Sequence, residues 1–157
     1  MSNNFEKMLD LVTAFFDTKN DPDQISITEE DREKLLAIHP STLSELANED
    51  GPIVWILLIP TTKELMYRFI SREISENQLL KDTPLGIEYD CVYLCSATVL
   101  TEFQGKGLAK KVALEALDTI CQIHPIKHLF YWQFSEGGKA LANSIAKQKG
   151  MELLERI

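Results

Sequence analysis

Cys91-Val-Tyr-Leu-Cys-Ser-Ala-Thr-Val-Leu-Thr-Glu-Phe-Gln-Gly-Lys-Gly-Leu-Ala-Lys-Lys-Val112 is the stretch whose reading decides the fold. It opens as an apolar, β-rich run from Cys91 to Leu100 and passes through a short polar turn, Thr101 to Phe103. Gly105 and Gly107 follow, and then a helical pattern. Leu108, Val112, Ala113, Ala116, Leu117, Ile120 and Cys121 recur at spacings of three and four, which mark one face of a helix. The segment therefore reads strand, glycine turn, helix. Glycine lets the backbone approach a ligand because no Cβ intervenes. The first N–H groups of the helix lack internal partners and carry the positive end of its dipole. Turn and helix start together make a phosphate cradle.

Two common cradles are excluded. A P-loop needs glycines five apart followed by Lys-Ser/Thr, which is absent. The dinucleotide fingerprint needs Gly-x-Gly-x-x-Gly, and its third glycine falls on Lys110. Gln104-Gly105-Lys106-Gly107-Leu108-Ala109 instead resembles the pyrophosphate-binding motif of the GNAT acetyltransferases, Gln/Arg-x-x-Gly-x-Gly/Ala. A hydrophobic strand through Ala97-Thr98-Val99 and a short acidic turn before the glutamine are similar to that family too. The resemblance covers roughly 53–154 and is strongest over 93–117. It implies a GNAT-like α/β fold, a mixed central sheet flanked by helices, here with an atypical helical N-terminal part. It also implies acetyl-CoA as acyl donor, lying between the strand that ends at Leu100 and the strand over 127–134. Backbone from Gln104, Gly105, Lys106, Gly107, Leu108 and Ala109 would hold the pyrophosphate. Thr98, Val99 and Leu100 would run along the pantetheine arm, with backbone near Val99 steadying the thioester carbonyl.

Composition sets the frame. The chain has 157 residues, 45% hydrophobic and 25% charged, an ordinary single-domain composition. We expect one domain over 1–157, with a helical part over 1–50 and a CoA-binding core over 51–157. The longest apolar run, 53–59, is too short to span a bilayer. The N-terminal residues carry neither a basic n-region nor an apolar h-region, so no signal peptide is expected. Cys91, Cys95 and Cys121 are odd in number and sit in strand or helix patterns, so they read as reduced thiols of a cytoplasmic protein. His39, His124 and His128 supply no metal-ligand spacing, and no metal is expected. A net charge of −8 argues against nucleic-acid binding. Residues 1–103 hold 19 acids and 8 bases, giving −11; residues 104–157 hold 5 acids and 8 bases, giving +3. An anionic donor at one end and a cationic acceptor at the other would fit this split, as would solvated helix faces of varying charge.

Taken in order, Phe5, Met8, Leu9, Val12, Phe15 and Phe16 predict a helix over 5–16, and Asp21-Pro22 marks a turn over 19–24. A second helix over 26–38 has Thr28 as its cap, and a short helix is predicted over 42–47. Residues 53–59 read as a strand buried on both faces and stopped by Pro60. Thr61 or Thr62 caps a helix carrying Leu65, Met66, Phe69 and Ile70, and Ser75 opens another that ends near Lys81. A strand over 88–100 leads into the glycine turn. After His124-Pro125 come an aromatic strand over 127–134, a turn at 135–138, a helix over 139–149 closed by Gly150, and a short strand over 151–154.

The chemistry is less legible. Many members of the resembled family place a tyrosine acid four residues before the last glycine; Ala146 stands there and donates nothing. Some carry a glutamate base in the strand before the glycine turn; Tyr93 stands there. Tyr93 and Glu88 are the candidate catalytic residues, with Asp90 and Cys95 nearby. Tyr131 and Trp132 are adjacent in a strand, so at most one faces any single pocket. The expected reaction is direct acetyl transfer from acetyl-CoA to a primary amine, small-molecule or peptide. The departures at Ala146 and Tyr93 favour the alternative, a GNAT-fold CoA-binding regulatory or interaction module without turnover. Neither nucleic acid nor membrane is an expected partner. A homodimer is compatible with the sequence, which does not fix the oligomeric state.

Overall fold

A computed structural model of the chain describes residues 29–132 and 136–156. The helix predicted over 5–16, the turn over 19–24 and the Thr28 cap lie outside the described residues, as do 133–135. Among the described residues the order is α1 (Glu29–Ile38), β1 (Leu43–Asn48), β2 (Gly51–Thr61), α2 (Lys63–Ile70), α3 (Glu76–Asp82), β3 (Cys91–Val99), α4 (Leu108–Ile123), β4 (His128–Trp132), α5 (Glu136–Lys149) and β5 (Glu152–Arg156). The strands form one mixed sheet in the order β1-β2-β3-β4-β5. β1, β2 and β3 pair antiparallel; β3, β4 and β5 pair parallel. The predicted mixed sheet flanked by helices is observed.

Local chemistry accounts for most elements. Thr62 Oγ1 accepts from Leu65 N at 3.3 Å and caps α2. Ser75 Oγ accepts from Gln78 N at 3.2 Å and caps α3. Each side chain satisfies an N–H that the helix itself leaves open. Asp90 adds a long-range cap, its carboxylate accepting from Lys63 N at 3.0 Å while its carbonyl accepts from Lys127 N at 2.8 Å. It ties α2, the start of β3 and the start of β4 together. At the end of α5, Gly150 takes a φ of 67°, where a side chain would be strained.

Parallel strands need crossovers, and α4 and α5 supply them. Val112, Ala113, Ala116, Leu117 and Ile120 bury the inner face of α4, which packs on β2. α5 packs on α4 and β5. α2 lies over β3, β4 and β5, with Phe69 fully buried against the rings of Tyr93, Phe130 and Trp132 at centroid distances of 4.7, 5.9 and 6.1 Å. Tyr93 and Phe130 are in register across β3 and β4 and stack at 5.0 Å. Sheet and helices therefore share one apolar core.

Three expectations are corrected. Residues 136–138, expected in a turn, form the start of α5. The helix over 42–47 is instead a 3-10 turn, Pro40–Thr42, followed by β1, so the part over 1–50 is not wholly helical. Its segment is short, and pairing with β2 from Leu43↔Leu57 to Asn48↔Gly51 overrides a local helical preference. Asn48 Oδ1 accepts from Asp50 N at 2.9 Å and shapes the connecting turn. Pro60 does not stop β2, which runs on to Thr61. β1 begins opposite Leu57, so Leu58–Thr61 pair with β3 alone and a residue without an N–H is tolerated there.

A histidine pair locks the turn before β1 to the far end of α4. His39 is 5% exposed, and its Nδ1 accepts from Ser41 N at 2.9 Å. His124 Nδ1 accepts from Tyr89 N at 3.3 Å, and the two imidazoles lie 6.2 Å apart. Burial lowers the pKa of His39, and the charge of His124 lowers it further; burial also lowers His124, opposed by Glu88. A folded-state pKa below the unfolded value of 6.5 means that the unfolded chain takes up the proton first as pH falls. Stability is thus full above pH 6.5 and declines below it. We predict that the melting temperature falls between pH 7.5 and 5.5, and that His39→Asn, which keeps an acceptor for Ser41 N but cannot titrate, flattens the dependence. Circular dichroism melts across that window check it; an unchanged slope in the variant contradicts it.

Candidate active site

The glycine turn has the backbone that a phosphate cradle needs. Gly105 and Gly107 take φ values of 79° and 74°, and a Cβ built on either meets no protein atom within 4 Å. The glycines are therefore required by the left-handed backbone and not by crowding, and the space above them is open. Gly107 is the N-cap of α4 and offers no side-chain cap; the first helical bond runs from Lys111 N to Gly107 O at 3.1 Å. The first turn holds no acid, and Lys106, Lys110 and Lys111 lie in and just after the turn. Gln104 is turned back, its Nε2 donating to Val99 O at 3.0 Å, which fixes the turn to the end of β3.

β3 and β4 part company short of this turn. Their parallel pairing runs only from Cys91↔His128 to Tyr93↔Phe130, although β3 continues to Val99 and β4 to Trp132. A bulge sits just past the last pair. Against β2, Leu94 pairs with Leu58 and Ser96 with Leu57, so Cys95 is an extra residue on β3. A bulge bends its strand and re-aims side chains, which is why bulges recur beside active sites.

At the parting point four polar side chains gather among aromatics. Glu76, the first residue of α3, is 2% exposed. Its Oε2 accepts from the Tyr93 hydroxyl at 2.5 Å and from Cys95 Sγ at 3.5 Å. Arg156, at the end of β5, is also 2% exposed, and its guanidinium lies 4.2 Å from the Trp132 ring centroid and 4.5 Å from that of Phe69. Burial pushes the Tyr93 hydroxyl well up, the negative charge of Glu76 pushes it further, and Arg156 opposes both. Burial likewise pushes the Cys95 thiol well up, helped by Glu76. Both groups rest protonated and donate to one carboxylate. Cys95 is half-buried, whereas Tyr93 is fully enclosed. Cys95 is thus the least enclosed of the three groups joined at Glu76 Oε2, and its sulfur faces that carboxylate.

The expected site residues divide. Gln104, Gly105, Lys106, Gly107, Leu108 and Ala109 stand together at the head of α4, and Thr98 and Val99 are half-buried at the end of β3. Leu100 is fully buried and its N–H already donates to Ile53 O at 3.0 Å, so it does not face the opening. Glu88 is exposed before β3 starts, on the side of His124. The length of β3, roughly 26 Å at about 3.3 Å per residue, separates it from the turn. Tyr93 is where the sequence put it, but closed off from solvent. Trp132 shares the face of Phe69 and Arg156; Tyr131 is buried next to it in the strand, where alternation turns it the other way. Ala146 is buried in α5. Glu76 escaped the sequence reading because a glutamate beside a helix N-cap is ordinarily solvated; only its place before the buried Leu79-Leu80 pair hints otherwise. Among the described residues no group of three or more His, Cys, Asp or Glu could hold a metal ion, and no helix is long and apolar enough to cross a membrane. Compared with protein-family models, with curated proteins and with solved structures, the chain matches none.

The Tyr93 hydroxyl donates to Glu76 at 2.5 Å. Tyr93→Phe keeps the ring stack on Phe69 and Phe130 and removes only that donor. We predict a loss of about 1–3 kcal/mol in urea unfolding, the cost of weakening the solvation of a buried polar group. A loss under about 0.5 kcal/mol would mean that the hydroxyl adds nothing beyond packing.

Proposed function

We propose that the chain is an acyl-CoA-dependent N-acyltransferase of the GNAT kind, moving an acetyl group from acetyl-CoA to a primary amine. The observation that carries this reading is the glycine turn at the head of α4. Two left-handed glycines, open space above them, uncapped helix N–H groups and three lysines suit a pyrophosphate. The turn follows β3 closely, at the end beyond its pairing with β4, so the thioester arm of a donor held there by its phosphates would run along Leu94–Val99, which β4 leaves unpaired. Crevices at the carboxyl ends of parallel strands are common ligand sites in α/β sheets. The rate would come chiefly from proximity and from backbone stabilisation of the developing oxyanion.

A CoA-binding module without turnover is the second reading, and the burial of Ala146 and Tyr93 favours it: neither offers the opening an acid or base. Release of CoA in the presence of amines separates the two. The charge split adds a preference for cationic acceptors to the first reading, since most of the acids precede the cradle.

Both readings require the cradle. Gly107→Glu would put a carboxylate where the pyrophosphate sits, and we predict that CoA affinity falls at least tenfold, about 1.4 kcal/mol. Gly107→Asn tolerates the left-handed backbone and serves as the control, with affinity near wild type. Isothermal titration with CoA reads both. Equal affinity in wild type and a folded Gly107→Glu variant would overturn the reading.

A further inference from the structure

We propose that the Cys95 thiol is a two-way proton relay between the acceptor amine and the buried carboxylate of Glu76, with Tyr93 as the residue that positions Glu76. The inference rests on the acyl-transfer reading and supplies what that reading lacks, an acid and a base at the opening. Three observations carry it. Cys95 is the bulged residue of β3, two residues past the last pair with β4, where the strands part. It is half-buried, whereas Glu76 and Tyr93 are buried. Its Sγ and the Tyr93 hydroxyl both donate to the same oxygen, Glu76 Oε2, at 3.5 and 2.5 Å.

A thiol donates one proton and accepts another on sulfur, so it suits transfer in either direction. Burial and the neighbouring carboxylate keep Cys95 as the neutral thiol, the form a relay starts from and a poor form for a nucleophile. In the forward direction the amine nitrogen bonds to the acyl carbon. Its proton passes to Sγ as the Sγ proton passes to Glu76 Oε2. The thioester C–S bond then breaks and the CoA thiolate leaves with the electron pair. Glu76 returns its proton to Sγ as the Sγ proton passes to the thiolate. The products are an amide and CoA thiol, and Cys95 and Glu76 end as they began. One thiol serves both directions, so no separate acid is needed at Ala146. The hydrogen bond from Tyr93 holds Oε2 toward the sulfur, and the positive charge of Arg156 bears on the same cluster.

The test uses the full chain with acetyl-CoA and a panel of primary amines (n-butylamine, lysine methyl ester, spermidine), following CoA release. CoA binding is measured separately by titration. Cys95→Ala and Glu76→Gln should each lower kcat roughly 10²-fold or more, with CoA affinity unchanged. Cys95→Ser should recover the larger part of the loss, because a hydroxyl can relay where a methyl cannot. The wild-type solvent isotope effect should carry the inverse contribution of a reactant-state thiol, and Cys95→Ser should lose it. Should Glu76→Gln fail to fold, the Cys95→Ala and Cys95→Ser pair decides. A folded Cys95→Ala variant within about threefold of wild-type kcat overturns the relay and leaves the acyl-CoA reading standing. An acetyl group on Cys95 after incubation with acetyl-CoA alone also overturns it, in favour of a covalent route. CoA binding without turnover in wild type overturns it in favour of the binding module, and no CoA binding overturns the acyl-CoA reading itself.

Discussion

The parallel pairing of β3 with β4 is only three residues long, and the rest of the structure is arranged around that shortness. A parallel pair cannot close through a hairpin; it needs a crossover, here the glycine turn and α4. What holds β3 and β4 together over so short a contact is side-chain packing as much as the ladder. Tyr93 stacks on Phe130 across the pair, and Phe69 of α2 covers both rings. Asp90 pins the starting end, through Lys127 N to β4 and through Lys63 N to α2. With one end pinned and the middle packed, the strands are free to diverge at the other end, where the bulge at Cys95 turns β3 off the line of β4. The pairing of β3 with β4 thus ends at Tyr93↔Phe130, short of the glycine turn.

Burying Glu76 and Arg156 in so small a domain runs against the desolvation of both charges. Two features offset that penalty. The Glu76 carboxylate accepts from a hydroxyl and a thiol that burial keeps protonated, so its charge is met by donors that do not titrate away near neutral pH. The Arg156 guanidinium lies against the Trp132 and Phe69 rings, and a desolvated cation on an aromatic face gains about 2 kcal/mol. Phe69 therefore has two roles, core residue for Tyr93 and Phe130 and platform for Arg156. A purely structural core would be served at least as well by apolar residues of similar volume. A carboxylate, a thiol, a phenol and a guanidinium gather instead at and just past the last β3–β4 pair, and the proposed proton relay starts from that gathering.

How much of this was legible in the sequence varies with the range of the interactions. The strand, glycine turn and helix over 91–123 were legible because their signals are local: an apolar run, two glycines needing positive φ, and a three-and-four apolar period. The caps at Thr62 and Ser75 were legible for the same reason. β1 was not, because Leu43–Asn48 is a strand only by virtue of its pairing with β2. Glu88 looked apt because it precedes β3, yet the strand carries it to the far end from the cradle, beside His124. Glu76 was hidden by the reverse effect. It lies 17 residues before Tyr93 in sequence, and only the packing of α3 under α2 brings its carboxylate to the hydroxyl. Nothing in the local pattern separates it from a solvated first-turn glutamate.

The charge distribution must be weighed against this geometry. The +3 of residues 104–157 gives the cradle three nearby lysines, Lys106, Lys110 and Lys111, but Lys106 lies 5.6 Å from the centroid of the Phe103 ring, and the others belong to an exposed or half-buried helix face. Exposed ammonium groups act through water and are screened within about 10 Å at 0.1 M salt. Backbone N–H groups at a helix start are fixed in direction and lose no side-chain freedom on meeting a phosphate. If the turn holds a phosphate, as proposed, the left-handed backbone at Gly105 and Gly107 would matter first, with the lysines adding attraction at a distance. The same reasoning applies inward of the turn. Net charge acts there only at a distance, whereas Glu76 of α3 and Tyr93 and Cys95 of β3 are joined by contacts of hydrogen-bond length.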